Sequence, residues 1–207
     1  MGKIDLNEIE QLETSVIKNP DWYYHGYNFA FTSDILKEGI LARKYLSCDD
    51  EDGLNGKHYI SIAKDIEGDK KALTRYKHQG SLAILDEKLK VIECKKSKFY
   101  ELFRYTMLPF RYSSWSDEYQ VFSKIKPKNI IGFECMAYLW AKEGNIALLR
   151  RLRAMIETMQ HLQCDLPIYD FSRQEGDNVH EIDKEGYLEL TKSFKDHDIL
   201  SALGITL

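Results

Sequence analysis

Up to residue 135 the apolar residues of this chain fall in short runs of aromatic and β-branched residues, cut by glycine, proline and polar turns. Beyond it they recur at helical spacing. The short runs are Asp21–Tyr27, Lys57–Ile62, Leu82–Leu85, Leu89–Ile92, Tyr119–Phe122 and Ile130–Phe133, and their residue types suit a pleated, half-buried surface. From Asn145 to Gln163, Leu148, Leu149, Leu152, Met155, Ile156, Met159 and Leu162 keep the period of one long amphipathic helix. Arg150, Arg151 and Arg153 interleave with that stripe and are expected on its solvated face, with a target-binding patch as the sharper alternative. The expected fold class is α+β.

The order of elements follows from local signals. Asp5 and Glu8 make a capping-box-like start, and Ile9, Leu12, Val16 and Ile17 predict a short N-terminal helix ending before Pro20. After the strand that stops at His25-Gly26, Thr32 or Ser33 is expected to cap a helix over Asp34–Glu38, closed by Gly39. The acidic, glycine-containing stretch from Asp49 to Gly56 reads as a loop, and Ile66 to His78 as a polar helical segment. Leu82–Leu85 and Leu89–Ile92 read as central strands or a hairpin joined by a tight polar turn. Phe99 to Phe110 is an aromatic-rich segment that Pro109 disrupts. The sheet is expected to end near Phe133, with a Tyr- and Asp-rich linker after Pro167 and weak helix around Leu200 and Leu203. The expected division is therefore a strand-rich domain at 1–135, including the N-terminal helix, and a helical C-terminal region at 136–207.

Bulk properties bound the partners. A chain of 207 residues with a 43% hydrophobic share buries a real core. Its formal net charge of −4 gives no global electrostatic reason for tight binding to nucleic acid or an anionic membrane. Cys48, Cys94, Cys135 and Cys164 show no metal-ligand or redox spacing, so reduced, mostly buried thiols are expected, and with them a cytoplasmic origin. The amino terminus carries early acids and no apolar run, so neither a Sec-type signal nor a membrane span is expected; delivery into a target cell would need a specialised route. Asn7 occupies the place where myristoylation wants Ser or Thr.

Three short stretches carry the chemistry. His25-Gly26 ends a strand, Gly56-Lys57-His58-Tyr59-Ile60-Ser61 enters one after a loop, and Asp117-Glu118-Tyr119-Gln120-Val121 opens another after the serine-rich turn at Ser113, Ser114 and Ser116. A carboxylate on the first residue of a strand is held rigidly and faces the open end of a sheet, where it can stabilise developing positive charge. In order and setting, the three stretches resemble the His-Tyr-Glu signature of the ADP-ribosyltransferase superfamily, the branch of the diphtheria-type toxins and poly(ADP-ribose) polymerases. Lys37-Glu38-Gly39-Ile40 after the His-Gly pair, and the Pro127 turn after the Glu118 strand, belong to the same likeness, which covers roughly residues 20 to 135.

The resemblance implies a split, mostly antiparallel sheet around a cleft for NAD as co-substrate, with no metal. Glu118 would stabilise the oxocarbenium-like state formed as nicotinamide leaves and grip a ribose hydroxyl; Tyr59 would stack on nicotinamide; the Gly26 backbone would hold its amide; His25 would hold a ribose hydroxyl. It also nominates Tyr27, Ser61, Tyr76 and Tyr112 around the dinucleotide, and leaves Arg111 and Asp117 as acceptor-facing candidates. The pattern departs in places: Tyr27 stands where Ser or Thr is frequent, Ser116 argues against the arginine-modifying branch, and neither Tyr76 nor Tyr112 sits at a decisive spacing for a second stacking ring.

The expected function is NAD-dependent mono-ADP-ribosylation of a protein acceptor, as a toxin, effector or endogenous regulator. The alternatives are a catalytically inactive binding module of the same fold, an NAD glycohydrolase, and a nucleic-acid-modifying relative. A cysteine hydrolase using Cys94 or Cys135 with His25 lacks an activating context for its thiol, and His180, Glu181, Asp183 and His197 lack metal-ligand spacing.

Overall fold

The computed structural model describes residues 13–18, 22–42, 59–64, 81–86, 88–93, 118–175 and 178–192. Among these residues the strands are β1 (Glu13–Lys18), β2 (Tyr23–Tyr27), β3 (Ile60–Lys64), β4 (Ser81–Leu85), β5 (Ile92–Glu93), β6 (Glu118–Val121), β7 (Ile130–Cys135), β8 (Ile168–Glu175) and β9 (Asn178–Ile182). The helices are α1 (Thr32–Glu38), α2 (Ala137–Lys142), α3 (Ile146–His161) and α4 (Lys184–Leu190). The strands form one nine-stranded sheet in the order β1-β9-β8-β7-β4-β2-β3-β6-β5. Described neighbours are antiparallel except β7 and β8, which run parallel. The class is α+β. No helix among the described residues is long and apolar enough to cross a membrane.

The strand with the most continuous apolar run lies innermost. In β4, Ala83 and Leu85 join the core beneath the helices, while Ile84 joins Trp22, Tyr24, Tyr169 and Val179 on the reverse side. A strand covered on both faces can carry no polar alternation. Over the helix side lies α3, with Leu149, Leu152, Met155, Ile156 and Met159 buried, and the side chain of Asn145 accepting from the Leu148 amide at 3.3 Å at its start. Arg153 is not a solvated residue: its guanidinium donates to the Leu188 carbonyl and to Thr191 Oγ1, and pairs with Glu157 at 2.8 Å, tying α4 to α3.

The chain after β2 turns through a 3-10 turn at Phe29–Phe31 into α1. Asn28 caps that turn, its side chain accepting from the Ala30 amide at 3.1 Å, whereas α1 follows Phe31 with no side-chain cap; the Thr32 hydroxyl instead donates to the Phe29 carbonyl. Gly39 closes α1 with φ +83°, and a Cβ there would stand 2.1 Å from the Ile125 carbonyl oxygen, beside the Ile40–Ile125 bridge. Only glycine suits that position.

Further sequence expectations are corrected. The N-terminal helix is replaced over its described part by β1, paired along β9. Ile9, Leu12, Val16 and Ile17 fit a helical period, but the β-branched Thr14, Val16 and Ile17 also suit a strand, and β9 offers an open edge to pair. The expected hairpin of Leu82–Leu85 with Leu89–Ile92 does not form: β4 is flanked by β2 and β7, and β5 pairs with β6 at the far edge. Asp86 still makes the local turn, its carboxylate accepting from the Lys88 amide at 2.8 Å. The sheet does not end at Phe133, nor is the region after residue 135 purely helical. β8 and β9 extend the sheet, and residues from both sides of residue 135, such as Ile62, Val121, Met155 and Tyr187, share one core. A buried Asp170 within β8 disguised that strand as a polar linker.

Candidate active site at the split between two strands

The strands that carry the three motif stretches are neighbours, in the order β2-β3-β6. β2 and β3 pair at only two positions, Tyr23 with Lys64 and Tyr24 with Ala63. From there they part. β2 continues along β4 as far as Tyr27 with Ser81, and β3 continues along β6 as far as Ile60 with Val121. The sheet therefore splits, with His25, Gly26 and Tyr27 on one lip and Ile60, Ser61 and Ile62 on the other. Glu118, the first residue of β6, pairs with Ala63, the residue at which β3 leaves β2. Tyr24, Ala63 and Glu118 lie on one line across the sheet, so Glu118 is about two strand spacings, or 10 Å, from β2 at the apex of the split.

The other nominated residues are placed less uniformly. Gly26 pairs with Leu82, and Ser61 with Gln120. His25 pairs with Ala83 and is half-buried, and alternation sets it on the helix side with Tyr23 and Tyr27. Tyr27 is committed to that core: its hydroxyl meets Met155 Sδ at 3.4 Å and its ring lies 5.7 Å from Phe133. Tyr59 precedes β3 and is 1% exposed. It is four residues from Ala63, about 13 Å along the strand. Because Ile60 and Ile62 belong to the helix-side core, the Tyr59 and Ser61 positions fall on the reverse side from His25. The structure brings the three strands together, and places His25 and Tyr59 on opposite sides of them. Tyr76, Tyr112, Arg111 and Asp117 lie outside the described residues.

No protein family, curated protein or solved structure matches this chain.

Two residues of β6 and its end were missed from the sequence. Gln120 is fully buried between its partners Ser61 and Ile92, and Phe122 is 41% exposed with its ring 5.9 Å from that of Tyr59, the planes inclined by 52°. The signal was present in the alternation of positions 118, 120 and 122, which share one side of the strand. Among the described residues, an aromatic ring that lies against Tyr59 stands after Glu118.

Asp170, Cys135 and Asp183 have structural roles. Asp170 accepts from the Tyr138 amide at 2.8 Å, the Ser172 amide at 3.0 Å and the Ser172 hydroxyl, while the Leu139 amide donates to Ser172 Oγ at 3.1 Å. Together they satisfy the open amides at the start of α2. Burial pushes the Asp170 carboxyl above its ordinary range, against the pull of these hydrogen bonds. Burial, then the neighbouring Asp170, pushes the Cys135 thiol well above its ordinary value, so it is held as an unreactive thiol. Asp183 caps α4 by accepting from the Gly186 amide at 3.1 Å. Among the described residues no group of His, Cys, Asp and Glu is arranged to hold a metal ion.

Proposed function

We propose that the chain transfers ADP-ribose from NAD to a protein side chain, releasing nicotinamide. The observation that carries this reading is the split itself: the His25-Gly26 stretch forms one lip, and Glu118 stands on the strand across from the residue where the split begins. In such a cleft the bond between ribose C1′ and the pyridinium nitrogen breaks, and its electron pair neutralises the departing nicotinamide. The carboxylate of Glu118 stabilises the positive charge that spreads over C1′ and the ring oxygen only as that bond breaks. An acceptor lone pair then forms the new bond to C1′ and gives up its proton to the carboxylate. The backbone of Gly26, beyond the last β2–β3 pair, supplies groups suited to a carboxamide.

The placement of His25 and Tyr59 on opposite sides favours a second reading, a module of the same fold that binds the dinucleotide without turnover. One experiment separates the two. The protein and its Glu118→Ala variant are incubated with NAD labelled in the adenylate and with a cell lysate. Labelled protein bands that vanish in the variant support the transferase. Nicotinamide release without bands supports a glycohydrolase, and NAD binding without release supports the binding module.

A further inference from the structure

We propose that Phe122 is the stacking platform for the adenine ring of NAD, an assignment that rests on reading the split as the dinucleotide cleft. The strand directly behind the β3 lip of that cleft, β6, has a carboxylate residue at its first position and an aromatic ring immediately past its last, Glu118 and Phe122. The two positions fall on the same side of the strand and are separated by four residues, about 13 Å. The base bonded directly to the ribose held at Glu118 lies next to that ribose; the adenine, beyond a second ribose and two phosphates, is the base placed to reach the far end of β6.

The local construction suits a platform. Tyr59 is wholly buried and supports Phe122 from one side, which restrains the ring, while Phe122 keeps 41% of its surface accessible. Exposed large apolar side chains are few among the described residues, and this one stands where β3 and β6 stop pairing, one strand behind the open end of the split. Base stacking on a restrained aromatic ring discriminates by shape and needs no charge, in keeping with an acidic chain.

The test is calorimetric titration of the wild type and of Phe122→Ala, Phe122→Leu and Phe122→Trp with NAD, with ADP-ribose and with nicotinamide mononucleotide, which lacks the adenylate. Phe122→Ala is expected to weaken NAD and ADP-ribose about tenfold, the scale of one lost base stack, and to leave nicotinamide mononucleotide unchanged. Phe122→Leu, which keeps apolar cover over Tyr59 but cannot stack, should lose as much at an unchanged melting temperature, and Phe122→Trp should bind as well as the wild type. Equal weakening of nicotinamide mononucleotide assigns the ring to nicotinamide and overturns the proposal. A wild type that binds NAD while Phe122→Ala binds equally well overturns it and leaves the cleft reading standing. A wild type that binds none of the three overturns both.

Discussion

Glu118 opens β6 directly across from Ala63, the last residue at which β3 still pairs with β2. The carboxylate-bearing residue is thus held by a ladder on one side of the split and lies level with the place where the split begins.

Glu118→Gln is expected to lower nicotinamide release by about a hundred- to a thousandfold, the usual loss on removing one preorganised stabilising group. The ladder bonds of β6 are made by its backbone, so the melting temperature should change little. Release measured by chromatography at saturating NAD, together with a thermal unfolding curve, checks both. Full activity in the variant would remove Glu118 from the chemistry.

Gly39→Ala should destabilise the fold by about 2 kcal/mol. It would force a Cβ into the left-handed region and against the Ile125 carbonyl oxygen, opening the Ile40–Ile125 bridge. Urea unfolding monitored by tryptophan fluorescence measures it. Gly144, also at positive φ but with open space around the position of a Cβ, provides the control: Gly144→Ala should cost less.

Asp170 gives the fold a dependence on pH whose sign follows from its burial. Its folded pKa is raised, so its stabilising contribution is complete below the unfolded pKa and is lost as pH rises through the folded one. Asp170→Asn should remove this loss, so the variant gains on the wild type as pH rises from the acid range toward neutrality. Asp170→Ala, which leaves the Tyr138 and Ser172 donors without their acceptor, should cost about 1–3 kcal/mol. Denaturant midpoints across that pH range distinguish the three proteins.

Cys135 and Cys164 should part under alkylation. With its thiol pushed up by burial, Cys135 is expected to stay unmodified in the native protein at pH 8, while the half-buried Cys164 reacts. Peptide mass spectrometry after brief iodoacetamide treatment, with and without denaturant, reads the difference.

Much of the architecture was legible in residues that satisfy local and global demands together. The Leu148 to Met159 stripe reads as a helix and is one, and Leu82–Leu85 reads as a buried strand and sits at the centre. The errors arose where a pattern admits two partners. Val16 and Ile17 fit a helical stripe until the edge of β9 is there to pair with them. Asp170 looks like linker chemistry until the amides of Tyr138 and Ser172 explain why a carboxylate is buried in a strand.

The candidate site divides along the same line. Residue identities and their order nominated His25, Gly26, Tyr59 and Glu118, and local signals set Glu118 at a strand start, because turn formers followed by β-branched and aromatic residues act over a few positions. Where β2 and β3 part, which side of the sheet His25 and Tyr59 take, and that Phe122 lies against Tyr59 all depend on strand pairings between residues far apart in the chain. Ladder register and cross-strand packing are long-range choices, and no local pattern of side chains encodes them.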